Sequence, residues 1–161
     1  MAIQYKTNSY VTLDEANAYF ANRSDSANWL SLNNNRKEDL LVTATNYLDD
    51  SVEFVGVAVS TSQPLAWPRL GSYFDPKYGS TVLLPETEVP DRVKRATNEM
   101  ALHLIDNPGV LSSSAIVDEI KVGAISLKDI RNPSKAPHTV RLALGPLRRG
   151  FGGTSAMWRS W

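Results

Sequence analysis

Cysteine is absent from all 161 residues. Its absence excludes disulfides, thiolate nucleophiles and cysteine-ligated zinc or iron–sulfur centres, and it fits an intracellular home best. Histidine is nearly absent. His103 and His138 stand far apart with no HxxxH or HxE spacing, so no histidine metal site is expected; His103 reads as a core or interface side chain. No apolar run approaches the roughly 18 to 20 residues of a membrane span. The N-terminal MAIQYKTNSY is polar, unlike a signal peptide, so a soluble protein with no membrane partner is expected. Catalytic signatures are missing too: there is no GxSxG elbow, no GxxxxGK[ST] loop and no GxGxxG after a strand. The glycine-rich RGFGGTS near the C-terminus follows no predicted strand and lacks the lysine a phosphate loop needs. Asp49-Asp50 and Asp118-Glu119 are adjacent carboxylates, which read as helix ends and turns. No enzyme, cofactor or metal is expected.

What is present suffices for one ordinary domain with a true core: 42% of residues are hydrophobic and 21% charged. The formal net charge of zero conceals an asymmetry. Residues 1–130 carry 17 acids against 11 Lys and Arg, a balance of −6. Residues 131–161 carry Arg131, Lys135, Arg141, Arg148, Arg149 and Arg159 with no acid, a balance of +6. A basic arm on an acidic body suits docking on something acidic: nucleic acid, another protein or a second copy of the body.

Helix signals punctuate the chain. Thr12 with Glu15 forms a capping box, after which Leu13, Ala16, Tyr19 and Phe20 share a face. Trp29, Leu30 and Leu32 form a short apolar patch. Asn35 with Glu38 predicts a cap for a second helix over 36–50, with Leu40, Leu41, Ala44, Tyr47 and Leu48 inward, ending near Asp49 and Asp50. The third helix starts at Pro90 and Asp91, carries Val93, Ala96, Thr97, Met100, Ala101, Leu104 and Ile105 as a stripe, and stops at Asn107-Pro108-Gly109. Between these lies an inserted 51–89 loop and strap region without sustained helical period. Alternating Ile120, Val122, Ile125 and Leu127 predict a bulged strand or hairpin near 117–128. The stretch TVRLALGPLRRGFGG is read as one amphipathic turn or a docking strand. Fold class is therefore mainly α, a small bundle of about three to four helices with a short β element and an extended C-terminal arm.

Two segments carry functional interest. In the first, Pro64 and Pro68 stiffen QPLAWPR, and we read Pro64, Leu65, Trp67, Pro68 and Arg69 as a structural strap. Leu65 and Trp67 would fold down onto the second and third helices, leaving Arg69 outward to meet a carboxylate. In the second, Arg148, Arg149, Phe151, Trp158, Arg159 and Trp161 interleave cations with aromatics. Single-strand binders use that combination to stack bases and track phosphates, and protein interfaces use it for anchors. Composition leaves both open.

Taken in order, SYVTLDEANAYFANRSDSANWLSL, KEDLLVTATNYLDD, Phe54 and Gly56, QPLAWPR, VPDRVKRATNEMALHL and IKVGAISL resemble the head–tail adaptor (head-completion or neck) proteins of tailed bacteriophages. Some members of that group carry a DnaT-like single-stranded-DNA-binding label. The resemblance covers about residues 9–128 and implies a mostly helical core with a C-terminal docking arm; with the charge division above, the body is expected over 1–130 and the arm over 131–161. It also implies a non-enzymatic virion protein of the neck, assembled in the host cytoplasm as a ring of about twelve copies. The implied partners are the portal protein, further copies of the chain, a tail or tail-terminator (nozzle) protein, and genomic DNA passing without sequence-specific contact. Arg141, Arg148, Arg149, Phe151, Trp158, Arg159 and Trp161 would serve portal or inter-subunit docking. The DnaT-like label implies the alternative of a single-stranded-DNA-binding or primosome-type protein.

Overall fold

The computed structural model describes residues 2–112 and 136–149. The first helix, α1 (Leu13–Ala21), begins where expected: Thr12 accepts from the Glu15 amide and the Glu15 carboxylate accepts from the Thr12 amide. A single turn, α2 (Ala27–Leu30), brings Trp29 flat against Phe20, with centroids 4.5 Å apart. The long α3 (Asn34–Ser51) is capped by Asn33, which accepts from the Arg36 amide at 2.9 Å, two residues earlier than the expected cap at Asn35.

The central element is α4 (Asp91–Asp106). Every residue from Ala96 to Leu102 is buried, so the middle of the helix is enclosed on all sides, while Asp91, Arg95 and Asp106 toward its ends stay exposed. Its buried polar side chains must then be satisfied internally. Thr97 donates to the Val93 carbonyl, and Glu99 accepts from Tyr19 and from Arg23 of the α1 end. Neighbouring Lys37 is buried as well, its ammonium donating to Asn17 and lying 5.6 Å from the Trp29 ring centre.

Residues 136–149, assigned above to an extended arm, belong to the body. His138–Leu144 forms α5, followed by a 3-10 turn over Gly145–Leu147, and Val140, Ala143, Leu144 and Leu147 pack into the core against α4. Val55 N–H donates to Leu147 O at 2.9 Å and Arg149 N–H to Glu53 O at 2.8 Å, around an antiparallel bridge between Phe54 and Arg148. The arm, as a segment free of the body, can begin no earlier than residue 150.

The inserted region is more ordered than its lack of periodicity suggested. β1 (Val57–Ala58) pairs antiparallel with β2 (Arg69–Leu70), and β3 (Ser72–Asp75) pairs with β4 (Ser80–Leu83). Gly56, at φ +73°, makes the crossing possible: a β-carbon there would stand 2.2 Å from the Leu70 carbonyl oxygen. The β element expected near 117–128 lies outside the described residues. Among the described residues, no helix is long and apolar enough to cross a membrane.

One ion pair pins the second hairpin to α4. Asp75 is buried and takes a two-pronged grip from Arg92, at 2.6 and 3.1 Å, plus donors from Tyr73 and the Lys77 amide. The Arg92 hydrogen bond holds the Asp75 carboxyl down at about 2. A depressed carboxyl contributes stability that is complete above its unfolded value of about 3.9 and lost as pH falls toward the folded value. In acid titrations followed by circular dichroism, the stability gap between wild type and Asp75→Asn is expected to be full at neutral pH. It is expected to close between pH about 4 and about 2; a gap independent of pH would contradict this assignment.

Candidate nucleic-acid interface

The strap occupies its place through specific bonds. Trp67 is fully buried with its ring 5.4 Å from Phe54, edge to face, and Leu65 is buried beside it. Pro64 stays exposed at the start of the segment and Pro68 is half-buried, with the Trp67–Pro68 peptide cis. Asp49, at the end of α3, accepts from the Ala66 amide at 2.8 Å and from the buried Tyr10 hydroxyl. Burial first, and the Asp49 hydrogen bond second, push the Tyr10 pKa upward. The strap thus rests on α3, and the acid read above as a helix-end feature is its anchor.

Arg69 departs from expectation. Its guanidinium turns inward and donates to the carbonyls of Val55 and Gly56 at 2.8 Å, Ala66 at 3.2 Å and Phe54 at 3.4 Å. A planar fork of five N–H groups can serve several carbonyls that face one point, which no other side chain can do. Burial lowers the Arg69 pKa from its ordinary value, the electrostatic cost of holding a cation among dipoles without an ion-paired carboxylate.

Other body cations are engaged in the same way. Arg23 pairs with Asp25 and Glu99, Arg92 with Asp75, and Lys94 with Glu15, while Lys6 donates to the Thr87 carbonyl. Arg36 and Arg95 stand exposed outside such pairs, and Lys77 lies 5.1 Å from the Tyr78 ring centre. Residues 1–112 carry 14 acids against 9 Lys and Arg, a balance of −5. This surface repels phosphates more than it collects them.

The C-terminal end differs. Arg141 on α5, and Arg148 and Arg149 after the 3-10 turn, are exposed, and none forms an ion pair among the described residues. The structure brings these three expected residues to one end of the body. Phe151, Trp158, Arg159 and Trp161 lie outside the described residues.

Sequence reasoning missed one surface. The outer face of the β3–β4 hairpin presents Ser72, Phe74, Thr81 and Leu83, with Phe74 59% and Leu83 79% exposed and no charge among the four. Such a face suits a protein partner more than water.

Comparison with known proteins adds a family. The model of the family described as "Putative DnaT-like ssDNA binding protein" matches residues 2–159. No curated protein and no solved structure matches. The description carries the DnaT-like, single-stranded-DNA side of the resemblance; neck, portal and tail do not figure in it. With the match running from the second residue into the basic C-terminal segment, the chain belongs to the DnaT-like ssDNA binding protein family.

Proposed function

We propose that this chain is a non-catalytic DNA-associated protein that contacts single-stranded DNA through its basic C-terminal end. The family description supports the ligand class. The observation that carries the location is the division of cations: most body arginines and lysines are spent on internal partners, Arg36, Lys77 and Arg95 excepted, whereas Arg141, Arg148 and Arg149 all project from one end. They lead into a segment with no acid and with Trp158 and Trp161. Guanidinium groups would neutralise phosphates while aromatic faces stack bases.

Anisotropy of a labelled oligo-dT tests this. Affinity is expected to fall steeply with salt, by a log–log slope of about −0.7 for each phosphate contact. Removal of residues 150–161, which spares the buried Leu147, is expected to weaken binding about tenfold or more through the lost stacking. An absent anisotropy change at low salt would end the proposal.

A second reading is favoured by the uncharged hairpin face and the net acidic body. In it the chain is a phage neck adaptor, copies of which ring the DNA between portal and tail in the virion. Phe74 and Leu83 would meet a neighbouring copy, and an acidic lining would let DNA slide. The expected observation is a ring in class averages of the protein mixed with portal, and monomers in that mixture would count against it.

A further inference from the structure

Two of the projecting arginines border a groove whose chemistry is unlike the rest of the body. It lies between α3 and α5, encloses about 130 Å³, and has Leu48 and Val140 in its floor. Tyr47, Ser51, Arg141 and Arg148 stand at its rim. No carboxylate lines it, although the body as a whole is acidic. Two larger grooves among the described residues do carry acids: Asp75 and Asp91 line one of about 370 Å³, and Glu15 and Asp91 line one of about 530 Å³.

We infer that this groove seats one unpaired nucleotide of a bound strand, its base on Tyr47 and its phosphate between Arg141 and Arg148. The inference rests on the single-stranded-DNA reading above and deepens it. Arg148 is fixed at the backbone by the ladder that ties residues 53–55 to 147–149, and Arg141 by α5, so the two side chains start from ordered backbone on either side of the groove. Guanidinium forks match phosphate oxygens in pairs. Tyr47 is half-buried, packed on the core and lining the groove, so the part of its ring left uncovered would be the surface a base meets. The groove is smaller than the roughly 300 to 1,000 Å³ of a site for a drug-sized ligand, which suits one flat base. A paired base inside a duplex stack cannot enter it, so the site would distinguish single from double strands.

Fluorescence anisotropy with labelled (dT)15 and the full chain tests the site. The Arg141→Gln/Arg148→Gln double variant is expected to make the log–log salt slope shallower by about 0.7, the contribution of the one phosphate the pair neutralises. Both side chains are exposed, so thermal melting serves as the folding control for that variant. Tyr47→Leu is expected to weaken binding about tenfold with its slope unchanged, and to leave binding to a duplex of the same length unaltered. If the double variant keeps the wild-type slope while removal of 150–161 abolishes binding, the groove is wrong and the single-strand reading stands. Equal dependence of single strand and duplex on Tyr47 also overturns the site. If wild type itself does not bind at low salt, both readings fall.

Discussion

Replacing Trp67 by alanine is expected to lower the unfolding free energy by about 3 to 5 kcal/mol, the usual consequence of emptying a large aromatic site in a core. Trp67 is fully buried, packs edge to face on Phe54 and occupies the junction between strap, α3 and the first hairpin. A domain of this length has a total stability of about 5 to 15 kcal/mol, so the variant would retain little margin. The melting temperature is expected to drop by about 10 °C, at roughly 2 to 4 °C per kcal/mol. Trp67→Phe separates packing from polarity. The indole N–H is buried with no acceptor among the described residues, and an orphaned donor costs about 1 to 3 kcal/mol. Phenylalanine removes that donor while keeping most of the ring, so its loss is expected to be less than half that of alanine. A Trp67→Ala protein that melts within about 2 °C of wild type would refute a core role.

Arg69 supplies the second large effect. Arg69→Ala leaves the carbonyls of Phe54, Val55, Gly56 and Ala66 without their shared donor, and water reaches only part of that space. The expected loss is about 2 to 4 kcal/mol by chemical denaturation, since one abandoned buried group alone costs about 1 to 3 kcal/mol. Arg69→Lys is expected to recover only part of it, because an ammonium is a point donor and cannot span carbonyls arrayed around a plane. An exposed ion pair, the role the sequence suggested, would be worth about 1 kcal/mol or less. The magnitude therefore decides between the two roles.

The helices were legible because their signals are local. Thr12 and Glu15 stand one turn apart, and the α4 stripe is bounded by Pro90 and Asn107-Pro108-Gly109. The α3 cap was displaced because Asn33, Asn34 and Asn35 are chemically alike, and only backbone geometry chooses among them. The hairpins escaped notice for a different reason. In β3 Ser72 faces out and Tyr73 in, but Phe74 then faces out and Asp75 in, so alternation of hydrophobicity is inverted over the second half of the strand. The acid faces inward because Arg92 waits for it on α4, a pairing across seventeen positions that no local pattern announces. The α5 signal was present: Val140, Ala143, Leu144 and Leu147 fall at i, i+3, i+4 and i+7. The basicity of the segment drew attention to its surface and away from that stripe. Arg69 was misread because backbone carbonyls, unlike carboxylates, are invisible in a sequence.

The ladder joining residues 53–55 to 147–149 has a consequence for how the chain reaches this structure. It spans more than half of the sequence, whereas α1 to α3 form from neighbours. Closing so long a loop is entropically costly and brings no reward until both ends meet. The ladder is therefore expected to form late on the folding route, after the local helices of the first half. Interactions made late act on the reverse reaction: strengthening the seam at Leu147 would prolong the life of the native state while leaving the speed of its formation almost untouched.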